Sequence, residues 1–301
     1  MARRVLLQLD ADPQPSTFDA IVAVDAGVDV LLRHGGVTPE SAVPLVHGGM
    51  FTRGGKDLAS TAIFVGGSDV LAAEAIFRQV QKTFFGPVRV GVMLDPSGAN
   101  TTAAAAVVVA ARHADLGQSK AVVLGGSGPV GRRVVRLLAR EGCAVGVASR
   151  SVSRAEAVCE AVSAEVAEAQ LQAVETSGDT GILPRGRLLE LLREADVVVA
   201  AGAAGVRLLG SHGLAECRRA RVFVDLNAVP PEGLEGIQAS DAGRVLSAEI
   251  PGNEPPAVAY GALGVGGVKM KIHREAVQQI FTSNSACLDA EEMLEIGRTV
   301  S

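Results

Sequence analysis

An apolar run, Ala121-Val122-Val123-Leu124, opens into Gly125-Gly126-Ser127-Gly128-Pro129-Val130-Gly131 and is followed by a helical apolar pattern through Val134, Leu137 and Leu138. The spacing Gly126-x-Gly128-x-x-Gly131 suits a strand, a tight turn and a helix N-terminus, where backbone amides and the helix dipole can hold a pyrophosphate. The first glycine permits the turn, the second lets the ligand approach the backbone, and the third lets helix and strand pack closely. Ser127 and Val130 complete the turn, and Pro129 occupies a first helical position that needs no amide donor. A glycine-rich turn of purely structural purpose is the alternative, and the next strand bears on the choice. Ala144 to Ser149 ends in Ser149-Arg150-Ser151, with Arg154 one helical turn on. An NAD site places Asp or Glu there, about 20 residues after the glycines, to accept from ribose hydroxyls. Here two guanidiniums and two hydroxyls offer charge-assisted contacts to a 2′-phosphate. NADP is therefore expected, with NAD possible. Ala201, Gly202 and the small residues after them would let a cofactor ring or ribose lie against backbone, and Asn227 follows the next strand.

A nicotinamide cofactor implies hydride transfer, so a proton-transfer partner for the substrate is the next thing to find. The Tyr and Lys four residues apart of short-chain dehydrogenases are missing, because Tyr260 is the sole tyrosine and position 264 is Gly. No His–carboxylate dyad is legible. The cysteines, Cys143, Cys159, Cys217 and Cys287, are scattered, without metal-ligand spacing, so no metal is expected. A carbon between two nitrogens fits this lack. Nitrogen lone pairs expel its hydride, and the amidinium left behind is resonance-stabilised.

The elements that would position these groups alternate between strand and helix patterns along the whole chain, which makes the fold α/β with parallel sheets. Val5 to Leu9 is a strand ending in polar Asp10 and Asp12, with Ser16 as N-cap of a helix from Thr17. Asp10, Asp12 and Asp19 are candidate ligand contacts or simply cap and turn residues. Pro39 to Val46 is a helix. The glycine-rich stretch Gly48 to Lys56 is either a flexible turn or an anion-binding loop. Strands are expected over Thr61–Val65 and Val88–Leu94, with a helix from Asp69 to Thr83 between them. An Ala/Val helix from Ala103 to Arg112 leads into the dinucleotide unit. There Leu171–Val174, Asp196–Ala200 and Val222–Asp225 are strands, Ser153–Ala164 and Leu188–Arg193 are helices, and Gly181 to Gly186 is a loop. The glycine-rich segment Tyr260 to Lys269 returns the chain toward the other domain, ahead of a helix with Ile272, Val277, Ile280 and Phe281 as its core stripe. His273 reads as a surface or capping residue more readily than as a base, and Asp289-x-x-Glu292 reads as a capping box.

At 301 residues, the chain accommodates two domains. The expected division is residues 1–105 plus 270–301 for the substrate and 106–269 for the dinucleotide. A net charge of −5, one Tyr and no Trp argue against nucleic-acid or anionic-membrane binding. No stretch reads as a signal peptide or membrane span, so the cytoplasm is the default expectation.

Several longer blocks are more specific than the glycine fingerprint. Phe51-Thr52-Arg53-Gly54-Gly55-Lys56, Phe84-Phe85-Gly86-Pro87, Asn100-Thr101-Thr102-Ala103-Ala104-Ala105, the glycine turn, Asn227-Ala228-Val229-Pro230-Pro231 and Gly261 to Lys269 lie in order over nearly the full length. The chain thereby resembles the NAD(P)-dependent methylene-tetrahydromethanopterin dehydrogenases of C1-metabolising bacteria. The resemblance implies two α/β domains, a Rossmann-like one for the dinucleotide, with the pterin in the interdomain cleft. It also implies metal-free oxidation of the methylene to the methenyl form and a trimer-based homo-oligomer. Residue by residue, Lys269 matches the family lysine beside the reacting centre. An ammonium there would oppose a developing cation, so it is expected to be paired, displaced or partly desolvated. Phe18, Thr52, Lys56, Asn100 and Thr102 are expected on the pterin side. Rival functions are a methylene-tetrahydrofolate dehydrogenase, a shikimate-dehydrogenase-like enzyme using Lys56 and Asp95, and a non-catalytic NADP sensor.

Overall fold

The computed structural model describes residues 2–176, 184–247, 250, 253 and 255–300. The chain forms two compact units, Met1–Thr101 with Met270–Ser301, and Thr102–Lys269. The first boundary falls ahead of residue 105.

The first unit runs β1 (Val5–Asp10), α1 (Thr17–Asp25), β2 (Val30–His34), α2 (Pro39–Phe51), β3 (Thr61–Gly66), α3 (Val70–Thr83) and β4 (Gly91–Leu94), then enters α4 (Ala99–Ala111), which crosses into the second unit. Side-chain caps set the helix starts. Ser16 accepts from the Asp19 amide, Thr38 and Ser41 cap reciprocally, and Asp69 accepts from Leu71 and Ala72. Every residue of β3 is buried, as a central parallel strand requires. The core on one face joins Leu7, Leu9, Ile63 and Val65 of the sheet to Val46, Met50, Ile76 and Val80 of α2 and α3, each such burial being worth about 1.5–3 kcal/mol.

Two local expectations change here. Gly48 and Gly49 are not in a loop, because α2 continues to Phe51 and buries Met50. Tertiary packing outweighs the poor helix propensity of glycine. The strand expected from Val88 begins only at Gly91, after a turn in which Phe85 and Val88 pair.

The second unit contains β5 (Lys120–Leu124), α5 (Pro129–Arg140), β6 (Ala144–Ser149), α6 (Val152–Glu165), β7 (Leu171–Glu175), α7 (Gly186–Glu194), β8 (Val197–Ala200), α8 (Ser211–Glu216), β9 (Val222–Asp225), β10 (Ala242–Val245), β11 (Val258–Tyr260) and the start of α9 (Ala262–Gln279), as far as Lys269. Its strand order is β10-β11-β9-β8-β5-β6-β7. All neighbours are parallel except β10 and β11, so the sheet departs from the all-parallel expectation at one edge. From β7 to β11 the order is that of a dinucleotide-binding sheet, reversing between β5 and β8. Of the loop expected over 181–186, residues 181–183 lie outside the described residues, and Gly186 opens α7. The glycine-rich segment after Tyr260, expected to precede a helix, is already the start of that helix. Gly261 and Gly264 bring the start of α9 against the backbone of Gln238 and Asp241, where a side chain would collide.

The chain returns to the first unit through the rest of α9, β12 (Cys287–Leu288) and α10 (Ala290–Val300). The Glu292 carboxylate accepts from the Asp289 amide, closing the start of α10. The first sheet is wholly parallel, in the order β12-β4-β3-β1-β2. Its order reverses between β1 and β3, and in open parallel sheets ligands gather outside the strand ends at such a point.

Candidate functional site

In the second unit the turn after β5 is built so tightly that a side chain on Gly125, Gly126 or Gly131 would collide with a neighbour. Gly125 has φ +76°, and a side chain on it would stand 2.7 Å from the Gly202 nitrogen. One on Gly126 would reach Val147 at 2.8 Å, and one on Gly131 would strike the Gly125 carbonyl oxygen. Gly128 is the N-cap of α5, offers no side-chain cap, and is followed by Pro129. The first-turn amides of α5 are therefore available to an anion.

A pocket of about 390 Å³ opens beside this turn. Of the residues expected to hold the cofactor, Ser127, Gly128, Pro129, Ser149, Arg150, Arg154, Ala201 and Gly202 line it. The hydroxyls of Ser127 and Ser149 are 2.8 Å apart, and the Ser151 hydroxyl pairs with that of Ser153. Arg150 and Arg154 are exposed. Among the described residues they have no hydrogen-bond or ion-pair partner, which leaves both guanidiniums available to a ligand. The cradle, the helix end and the arginines fit a phosphorylated dinucleotide.

Gly126, Val130, Gly131, Ser151 and Asn227 are not on the pocket wall. The first and third glycines act by permitting the turn. Asn227 accepts from the amides of Gly205 and Val229 and donates to the Pro231 carbonyl, so its side chain braces two loops rather than facing the ligand. Beneath it the buried Asp225 accepts from the amides of Asn227 and Leu234. Burial pushes its carboxyl up, against the pull of these amides. Thr176, Leu188, Val206, Arg207 and Leu208 also line the pocket. No spacing rule announces them, because Thr176 follows β7, Leu188 comes from α7, and Val206 to Leu208 come from the loop after β8. Arg207 pairs with Glu235 at 3.0 Å.

In the first unit the carboxyl ends of β1, β3 and β4 carry the polar groups. Asp10 accepts from the amides of Asp12 and Ser16, and Asp12 accepts from the Ser68 amide and hydroxyl. Asp95 accepts from the amides of Asn100 and Thr101 and from the Thr101 hydroxyl. His273 is not at the surface: it is fully buried, 4.0 Å from both Asp19 and Asp95. Phe18 is half exposed.

The expected pterin residues divide. Asn100 is fully buried and donates to the Leu94 carbonyl and the Asp289 carboxylate, so it ties β4 to α10. Thr102 is half-buried on α4. Thr52 and Lys56 are exposed at the other edge of the sheet. Their neighbour Arg53 donates to the carbonyls of Arg3 and Ser60, just ahead of β1 and β3. They thus stand a strand length, roughly 15–20 Å, from the carboxyl-edge groups, and the structure does not bring them to Phe18 or Asp95. Lys269 is half-buried on α9. Among the described residues no group of three or more His, Cys, Asp or Glu is placed to hold a metal ion, and no helix is long and apolar enough to cross a membrane.

Comparison with known proteins adds an independent line. A family model described as methylene-tetrahydromethanopterin dehydrogenase, N-terminal, matches residues 17–97, and one described as shikimate/quinate 5-dehydrogenase matches residues 108–247. The chain is 40% identical over 303 residues to the bifunctional protein MdtA of Methylorubrum extorquens, with 100% of each covered. It is 29% identical to an NAD(P)-dependent methylenetetrahydromethanopterin dehydrogenase of the same organism, with 98% of each covered. Among solved structures, quinate dehydrogenase from Corynebacterium glutamicum in complex with NAD has a TM-score of 0.53 at 13% identity, with 98% of each chain covered. At that identity the likeness speaks for the α/β fold alone.

Proposed function

The chain belongs to the methylene-tetrahydromethanopterin dehydrogenase family, and from that premise we propose that it oxidises methylene-tetrahydromethanopterin to the methenyl form with NADP as acceptor. It is an NAD(P)-dependent oxidoreductase. The observation that carries the activity is the match of residues 17–97 to the methylene-tetrahydromethanopterin dehydrogenase model, supported by 29% identity to a dehydrogenase of that name over 98% of each chain. The preference for NADP rests on Arg150 and Arg154, which line the pocket beside the glycine turn where an NAD site would have a carboxylate.

When bound, the nicotinamide supplies the hydride acceptor. The protein's part is positional. The glycine turn admits the pyrophosphate to the α5 amides, and the Ser127 and Ser149 hydroxyls stand next to it. Arg150 and Arg154 take the 2′-phosphate in charge-assisted hydrogen bonds. Phe18 and Thr102 contribute to the pterin side, and Lys269 orients the pterin. No general acid or base is required, since the reacting carbon gives up hydride and loses no proton. Exposed apolar side chains such as Ile21 and Val24 on α1 support a homo-oligomer, and the family resemblance favours a trimer-based one in the cytoplasm.

The test is the initial rate of NADP reduction with methylene-tetrahydromethanopterin and methylene-tetrahydrofolate side by side, following nicotinamide and methenyl absorbance together. A much larger kcat/KM with the methanopterin is expected. Preference for folate would move the enzyme to the folate carrier, and no reduction with either would leave an NADP-binding protein without this activity.

A further inference from the structure

His273 departs furthest from what its sequence context suggests. Fully buried, its ring lies nearly parallel to that of Phe64, with centroids 5.9 Å apart and planes at 15°. On its other side is Phe18, at 6.2 Å and 39°. Both separations are in the range of favourable aromatic packing. Phe64 is 2% exposed and Phe18 50%, so the three rings form a column from the sheet core to the surface. It emerges at the carboxyl edge, where the first sheet reverses its strand order.

A carboxylate flanks the column on each side, at a distance longer than a hydrogen bond. His273 Nε2 is 4.0 Å from Asp19 Oδ1, and Nδ1 is 4.0 Å from Asp95 Oδ2. Asp95 is itself fixed by Asn100 and Thr101. Asp19 follows Phe18 in the first turn of α1. The start of that helix is pinned by Asp10, which accepts the Ser16 amide, and by Gln8, which donates to the Ser16 carbonyl. An apolar side chain of similar size would fill the space of His273 without the desolvation cost of a buried polar and charged cluster. The imidazole and its flanking carboxylates therefore fix an orientation that packing alone would not.

We propose that His273 is a positioning residue for the dehydrogenase reaction. Coupled to Asp19 and Asp95, it holds the Phe18 ring at the angle on which the flat bicyclic ring of the pterin lies. This rests on assigning the first unit to the pterin. A planar, polar heterocycle is the class of ligand that an exposed aromatic face favours, through offset stacking.

The test compares His273→Phe with His273→Gln in the full-length enzyme. Phe keeps the ring column and removes both nitrogens; Gln gives up the ring and keeps a hydrogen-bonding group for the carboxylates. Melting temperature and NADPH affinity by nicotinamide fluorescence report whether each variant is folded. Positioning through the carboxylates predicts that His273→Phe raises KM for the methylene pterin about tenfold, with kcat and NADPH affinity changed less than about threefold. His273→Gln then recovers most of that loss. A space-filling role predicts the reverse order, with Phe close to wild type and Gln impaired, and that result would overturn the proposal. Assays with both carrier pterins separate it from the functional assignment. A wild type active on either carrier, with His273→Phe matching it, overturns the positioning role alone. A wild type inactive on both overturns the assignment and the platform together.

Discussion

The hydroxyls of Ser127 and Ser149, 2.8 Å apart, join the glycine turn after β5 to the end of β6. They put the pyrophosphate cradle and the Arg150–Arg154 pair on one wall of a single pocket. On the proposed assignment, recognition of the 2′-phosphate is separable from recognition of the rest of the cofactor. Replacing Arg150 and Arg154 by Ala should raise KM for NADP by about 10- to 100-fold, the size expected for losing charge-assisted hydrogen bonds. KM for NAD should move little. Equal losses for both cofactors in steady-state assays would remove the pair from the 2′-phosphate site.

Gly131→Ala tests the cradle itself. The added methyl would stand 2.9 Å from the Gly126 Cα and collide with the Gly125 carbonyl oxygen, both of them backbone that cannot swing aside. A cost of about 1–3 kcal/mol is expected from such overpacking, read as a lower melting temperature together with weaker NADPH binding. Unchanged affinity for NADPH would show that the turn can relax without loss of the site.

Lys269→Ala should lower kcat by at least about tenfold while the NADPH dissociation constant stays within about twofold. The cradle lies at the glycine turn and does not involve α9. Fluorescence titration beside single-turnover rates distinguishes the two effects. A wild-type rate would take Lys269 out of the site.

The buried thiols give a pH signature. Burial, aided by Asp196, pushes Cys143 up to about 12, and burial with Glu216 does the same to Cys217. In the unfolded chain these thiols ionise near 9.0. Their raised folded values mean that the stability they contribute is complete below pH 9 and is lost as pH climbs toward 12. The midpoint of urea unfolding should therefore fall as pH rises from about 9 to about 11, less steeply in Cys143→Ala and Cys217→Ala. Both cysteines should also resist thiol reagents until the protein unfolds. Rapid labelling of Cys217 in the native enzyme would contradict the assignment.

What could be read in the sequence followed from local rules. The glycine turn, the Ser16 and Asp69 caps, the central strands and the arginines after β6 each depend on residues within a few positions of one another. What could not be read depends on distant partners. Val30–His34 is half exposed and becomes β2 only by pairing with β1. The two-residue β12 exists because β4 offers it an edge. Gly48 and Gly49 are helical because Met50 is buried beside them. Among the expected site residues, Asn100 and Asn227 are of binding type, but their amides are committed to loop carbonyls and a carboxylate. Lys56 looks catalytic beside its glycines, yet its loop is anchored to the amino edge by Arg53. His273 was misplaced for the same reason, since its neighbours Asp19, Phe64 and Asp95 come from three other elements.

The first unit is assembled from both ends of the chain, since β12 pairs with β4 and Asn100 binds Asp289. The second unit is a single uninterrupted stretch. During synthesis the residues of β1 to β4 emerge first, yet their sheet lacks an edge strand and their buried histidine until the ribosome has finished the intervening unit. The second unit can fold while the first is still waiting for its edge strand, so residues synthesised ahead of the second unit are completed after it.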